Sequence, residues 1–156
     1  MMKRILTVVL IVLLVCACAA LSGCTKDGFL GCVNQVMQNI GDNCLTKSYM
    51  LEGERSFGED SYTGSYQADY RDYTGRETLF GNTALERSAG TEIEVTCTLE
   101  IEEGSVKLYY KSGADGTVTL LDETGRFHKT IDLPIGSNYI GVVCRDFTGR
   151  IDLGIE

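Results

Sequence analysis

The chain has 156 residues, with 14 basic and 22 acidic side chains, one histidine, one proline and no tryptophan. That length holds one domain with a real core and is short for two. The acidic balance gives a surface that phosphate backbones and anionic lipid heads repel, so on composition nucleic acid is set aside as a partner.

The N-terminus carries Lys3 and Arg4, then an uncharged apolar run over 5–20, the size of a signal-peptide core. Leu21, Ser22 and Gly23 follow, directly before Cys24. This tetrad resembles the lipobox of bacterial lipoproteins. The resemblance implies a lipid on the Cys24 thiol, cleavage between Gly23 and Cys24, and a membrane-anchored protein facing the extracytoplasmic side. The alternative is an uncleaved helix over 5–25, about long enough to span a bilayer. A plain anchor has no need of Leu-Ser-Gly-Cys at its outer edge. Two acyl chains suffice for stable anchoring. Removing residues 1–23 takes away Lys3 and Arg4 and leaves 12 basic against 22 acidic residues, a net charge of −10.

Residues 24–56 read as the lipidated N-terminus, a short amphipathic helix and a tether. Phe29, Cys32, Val33, Val36, Met37 and Ile40 fall on one helical stripe. Its polar face holds Asn and Gln and no Lys or Arg, unlike a helix made to lie on a membrane. The Gly, Asp, Ser and Glu of 41–60 show little periodicity and read as the tether.

From Ser61 onward the period is two. Tyr62, Gly64, Tyr66, Ala68 and Tyr70 share one face. In 91–103, Ile93, Val95, Cys97, Leu99 and Ile101 face one way and Glu92, Glu94, Glu100 and Glu102 the other, a half-buried antiparallel strand with a wet side. Val106, Leu108 and Tyr110 continue after Glu103-Gly104. With 77–85, 117–121, 127–133, 138–144 and 150–155 this makes about eight short strands. The fold class expected is an antiparallel β-sandwich over 57–156, jelly-roll-like or Ig-like, preceded by one short helix.

Asp-x-Thr-Gly-Arg occurs at 72–76, 122–126 and 146–150. Asp first and Gly fourth suit a type I turn, so each copy is expected to be a hairpin connection with Gly75, Gly125 and Gly149 at positive φ. The unequal spacing argues against a solenoid or propeller. Arg71 to Leu79 and Arg145 to Leu153 are alike enough to suggest two equivalent corners of the fold or an old internal duplication.

The lipobox, the short spacer, the Tyr-rich strand with Tyr73-Thr74-Gly75 and the stretch Leu133 to Cys144 followed by Phe147-Thr148-Gly149 are together similar to small, uncharacterised β-sandwich lipoproteins of gut Firmicutes. That resemblance implies no activity.

Chemistry is sparse in the sequence. His128 has mixed neighbours and no nucleophile motif to serve. No EF-hand, Cys-x-x-Cys, P-loop or dinucleotide fingerprint is present, so no cofactor or metal is implied. Glu100, Glu102 and Glu103 could hold calcium, but alternate glutamates on a wet strand face are the commoner case. Tyr109 and Tyr139 should point away from the core. They fit either cross-strand aromatic pairing, the favoured reading, or a sugar-stacking surface. Of the cysteines beyond Cys24, Cys97 and Cys144 lie on apolar faces of separate strands. A Cys97–Cys144 bridge is expected, with Cys32–Cys44 as a looser local pair; two buried free thiols are the alternative. The function expected is a non-enzymatic binding or structural role in the cell envelope. A glycan- or ligand-binding module is the alternative and a small surface hydrolase the third reading.

Overall fold

The alternation that starts at Glu92 does not end at Glu103-Gly104. It resumes on the far side of the glycine, and the chain runs as one strand through both halves. A computed structural model describes residues 33–34, 44–113 and 116–156. In it the strands are β1 (Glu54–Phe57), β2 (Gly64–Ala84), β3 (Glu92–Ser112), β4 (Gly116–Leu121), β5 (Gly125–Asp132) and β6 (Gly136–Ile155). Three of the six are 20 or 21 residues long, several times the usual five or six. The eight expected strands are therefore fewer and longer: 62–70 joins 77–85, 92–102 joins 105–111, and 138–144 joins 150–155.

All pairings are antiparallel, in the order β1-β2-β6-β3-β4, with β5 on the first half of β3. The long strands fold over at their middles, which makes a two-layer sandwich from one sheet. The first layer is β1, 64–70 of β2, 149–155 of β6, 92–101 of β3, and β5. The second is 73–84 of β2, 136–147 of β6, 103–112 of β3, and β4. Counted by halves, the connectivity is that of the expected jelly roll: β2, β6 and β3 each give one strand to either layer, β5 completes the first four-stranded sheet and β4 the second, and β1 adds an edge strand to the first.

The inner faces meet in one core. Tyr66, Val95, Leu99 and Leu153 of the first layer pack with Leu79, Leu108, Ile140 and Val142 of the second, each at most 2 % exposed. At ~25 cal/mol per Å2 of apolar surface buried, each such side chain contributes about 1.5–3 kcal/mol. Polar bonds also cross between layers. Glu77 of the second layer is fully buried. It accepts from the Tyr66 hydroxyl at 2.9 Å and from the Tyr70 hydroxyl. Its other oxygen accepts from the Glu52 backbone N–H at 2.7 Å. Burial pushes the Tyr66 and Tyr70 phenols far above the usual tyrosine range, and the Glu77 carboxylate adds to this. Arg55 on β1 donates to the carbonyls of Leu79 and Thr46, each at 2.9 Å.

The repeated pentapeptide marks where the chain passes between layers. The first and third copies are not hairpins. They lie side by side in β2 and β6, where the register shifts between Tyr70 and Tyr73 and again between Tyr73 and Gly75. The positive φ falls on the aspartates, Asp72 at 47° and Asp146 at 48°, and on Gly149 at 155°; Gly75 and Gly125 are not in that region. Asp tolerates the left-handed region because its short polar side chain can bond locally. The second copy carries the chain from β4 in one layer to β5 in the other. Each threonine repairs a backbone donor at this fold line. Thr74 Oγ1 accepts from the Asp146 N–H at 2.7 Å, Thr148 Oγ1 from the Asp72 N–H at 3.0 Å, and Thr124 Oγ1 from the Ile101 N–H at 2.9 Å. The first two are reciprocal, so the corners at 72–74 and 146–148 are equivalent about a local two-fold. On β3 the bend is at Gly104, φ 72°, where a Cβ would lie 2.0 Å from the Asp146 carbonyl oxygen.

The segment before β1 is not a free tether. Thr46 pairs with Thr78 through its backbone N–H, 2.9 Å from the Thr78 carbonyl, and through Oγ1, 2.8 Å from the Thr78 N–H. A 3-10 turn, Ser48–Met50, follows. The chain divides into two units, Met1–Gln35 and Val36–Glu156. In the first, Val33 and Asn34 are helical; the lipobox with Cys24 and the rest of the expected helical stripe lie outside the described residues. Among the described residues no helix is long and apolar enough to cross a membrane.

Candidate ligand-binding face

The pleat sends alternate residues of the second layer outward. The outward set on β2 is Arg76, Thr78 and Thr83. On β6 it is Ser137, Tyr139, Gly141, Val143 and Arg145. Ser105, Lys107, Tyr109 and Lys111 face out from β3, with Thr117 and Thr119 on β4. Register sets them in rows: Arg76–Val143–Lys107, then Thr78–Gly141–Tyr109–Thr119, then Tyr139–Lys111–Thr117.

Tyr109 and Tyr139 do turn away from the core, as the alternation requires. They are nonetheless 5 % and 8 % exposed, which removes them as a sugar-stacking platform. The cause is local. Gly141 sits beside Tyr109 and has no side chain, so the ring lies down over it; a Cβ there would be 2.7 Å from the Tyr109 hydroxyl oxygen. That hydroxyl is 3.2 Å from Thr78 Oγ1, and Arg76 lies over the ring at 5.5 Å. The Tyr139 hydroxyl is 3.0 Å from Thr83 Oγ1. Both tyrosines thus make cross-strand contacts and floor the face.

Above that floor Arg76, Lys107, Lys111 and Arg145 are exposed. Across these three rows no outward position carries a carboxylate; the exposed Glu103 and Asp146 lie at the fold line, beside Arg145. None of the four takes part in the ion pairs found among the described residues, which are Arg87–Asp60, His128–Glu94 and Arg150–Asp69. The opposite face, on the first layer, is acidic: Glu54, Asp69, Glu92, Glu94, Glu100 and Asp152 point outward there. The net negative charge is therefore an average over two unlike faces. With a Debye length of ~8 Å at physiological salt, an anion at the basic face is largely screened from the acidic one.

The other residues singled out in the sequence are scattered. His128 is exposed and its Nε2 lies 2.6 Å from a Glu94 oxygen. Glu100, Glu102 and Glu103 do not converge on a metal-sized site, and among the described residues no such cluster exists. Cys97 and Cys144 are buried free thiols, so the expected bridge between them is not formed. Cys97 lies opposite Leu153 on the first layer, whereas Cys144 lies opposite Val106 on the second, so the fold line separates them. Burial pushes both thiols up to about 12. Cys44 is exposed, and Cys32 lies outside the described residues. The basic face itself escaped sequence reasoning because its charges come from three separate strands. Lys107-x-Tyr109-x-Lys111 was its one local sign.

A further cavity of about 520 Å3 lies at the end away from the fold line, between the β2–β3 and β5–β6 loops. Leu85, Leu133, Pro134 and Ile135 line it. Arg87 closes one side, stacked on Tyr62 and paired with Asp60 at 2.6 Å.

No family model and no curated protein matches the sequence. Among solved structures, a carbohydrate-binding module described as CBM29-2 is 13 % identical, with TM-score 0.35, covering 68 % of this chain and 76 % of that one. The CBM22-1 xylan-binding domain of Paenibacillus barcinonensis Xyn10C is 15 % identical, with TM-score 0.32 and coverage of 67 % and 79 %. The K1 adhesin domain of Lys-gingipain from Porphyromonas gingivalis W83 is 14 % identical, with TM-score 0.31 and coverage of 74 % and 93 %. Likeness at this level carries no inference about a ligand, and what this chain binds has to be argued from its own faces.

Proposed function

We propose that the chain is a non-catalytic binding module of the bacterial cell surface, anchored by a lipid on Cys24, and that its domain takes an anionic ligand on the outer face of the second layer. The anchoring half rests on Leu21-Ser22-Gly23-Cys24 after a basic and apolar leader. The binding half rests on one observation. A strongly acidic chain keeps the rows of one sheet face beyond the fold line free of carboxylates and sets Arg76, Lys107 and Lys111 exposed upon them, with Arg145 at their edge. Each charge is worth little singly, but several on one face create a local positive potential that concentrates anions and steers their encounter.

Two experiments test the two halves. Fatty-acid labelling in a bacterial host is expected to mark the wild-type chain and not Cys24→Ala; label on the variant would sink the anchor. Binding of inorganic polyphosphate is expected to weaken when salt rises and when Lys107 and Lys111 are both changed to Glu. Polyphosphate binding indifferent to both would sink the anionic site.

A further inference from the structure

We infer that the anionic ligand of this face is an acidic glycan, an extended hydroxyl-rich chain bearing carboxylate or phosphate groups. It lies across the row Arg76–Val143–Lys107 and along β3 toward Lys111. This rests on the reading of the face as anion-binding, and three observations narrow the class.

The first is spacing. Arg76 and Lys107 are two strands apart, about 10 Å at the backbone, and four residues of β3 separate Lys107 from Lys111 by about 13 Å. A single small anion cannot reach all three. A polymer with charges at intervals can, and its weak contacts then add through linkage.

The second is shape. The cavities at the domain's other surfaces are lined by the loops and edges around Arg87, Phe57 and Ile135. The basic face is open sheet, which suits a chain laid on it more than a molecule enclosed by it.

The third is what lies between the charges. Thr117, Thr119 and Ser105 present exposed hydroxyls. The tyrosines are lying flat and buried, and Val143 is half-buried. A membrane-inserting surface needs exposed apolar side chains, and a protein interface needs apolar or aromatic anchors at its centre. This face offers cations and hydroxyl groups instead, the complement of a polyhydroxylated anion.

The test uses the full chain in zwitterionic detergent. Its retention is measured on immobilised polygalacturonate, on a glycerol-phosphate teichoic polymer, on neutral xylan and on inorganic polyphosphate. Retention is expected on one or both acidic glycans at about 50 mM salt, with elution near about 200 mM and no retention on xylan. Which of the two is retained tells carboxylate from phosphate as the recognised group. Lys107→Glu/Lys111→Glu is expected to bind at least ~10-fold more weakly, as loss of two counter-charges predicts, with Lys107→Gln/Lys111→Gln standing in if the double reversal does not fold. Glu92→Gln/Glu94→Gln on the opposite face is expected to bind as wild type. Retention on xylan equal to that on the acidic polymers would overturn the inference. Binding to polyphosphate alone would overturn the glycan and leave the anionic site standing; binding to no polyanion would remove both. Two outcomes would assign the face to another occupant and overturn the inference. One is Lys107- and Lys111-dependent binding to phosphatidylglycerol vesicles exceeding that to the glycans. The other is salt-sensitive self-association in sedimentation, with the acidic face of a second copy on the basic face of the first.

Discussion

The two outer faces of this sandwich are built on the same three strands and differ in almost everything else. On the first layer the outward residues alternate cleanly with the core and are polar or charged and wet, apart from Gly154. Glu94 pairs with His128, and Asp69 approaches Arg150 at 3.9 Å. On the second layer the outward residues include two tyrosines that are buried as deeply as core residues, Tyr109 over Gly141, with cations around them. The same pleat gives a solvated face in one half and a floored, basic face in the other. The difference comes from a few small residues that let rings lie flat, and from where the carboxylates are absent. Charge composition, which averages both faces, is blind to it.

If the layers are held together as described, the largest effect of any single change should come from Glu77, which joins them. Glu77→Ala leaves the Tyr66 and Tyr70 hydroxyls and the Glu52 N–H without their acceptor, and is expected to cost about 3–5 kcal/mol in denaturant unfolding. A cost under about 1 kcal/mol would mean that this buried contact does not join the layers.

The contrast between faces is sharpened by a matched pair. Tyr109→Ala is expected to cost about 3 kcal/mol, as for a buried aromatic. Thr96→Ala, at an outward position of the first layer, should stay within about 0.5 kcal/mol. Similar melting temperatures for the two variants would contradict a packed floor on the second layer.

The fold line gives a somewhat smaller effect. Gly104→Val and Gly149→Val place a Cβ against the carbonyls of Asp146 and Glu100, at 2.0 and 2.1 Å. They should cost about 2–3 kcal/mol each. Gly125→Val in the second pentapeptide meets nothing within 4 Å and should be nearly neutral. Equal effects at Gly149 and Gly125 would return the pentapeptides to the status of like hairpins.

The smallest effect at neutral pH concerns Cys97 and Cys144. As unbridged fillers, each is expected to cost about 1 kcal/mol when changed to Ala, well short of the 2–5 kcal/mol of a lost native disulfide. Their folded pKa values stand at about 12 against an ordinary 9. A raised folded value means the stability they contribute is complete below pH 9 and is lost as pH climbs from 9 toward 12. Urea midpoints should therefore be flat from pH 7 to about 8.5 and fall above it, with a shallower fall in Cys97→Ala/Cys144→Ala. The tyrosines Tyr66 and Tyr70, raised in the same direction, steepen the decline above pH 10. A midpoint that rose with alkalinity would refute the burial of these groups.

What the sequence by itself determined is local. Period-two alternation in Tyr62–Tyr70, Ile93–Ile101 and Val106–Tyr110 marked which residues face the core, because a strand can bury only alternate side chains. The paired stretches Arg71–Leu79 and Arg145–Leu153 were legible as equivalent corners, since like backbone bends select like residues. The direction of Tyr109 and Tyr139 followed from the same alternation. Only the tertiary structure decided the rest. An Asp-x-Thr-Gly-Arg segment bends a strand at 72–76 and 146–150 and joins two layers at 122–126. The choice depends on which neighbouring N–H each threonine finds, and that partner lies far away in sequence. Cys97 and Cys144 share the core but are set apart by the fold line, which no face pattern reveals. The burial of Tyr109 depends on Gly141, and the basic face on residues from β2, β3 and β6. Cross-strand register brings these together, and register is a property of the folded sheet and not of any one segment.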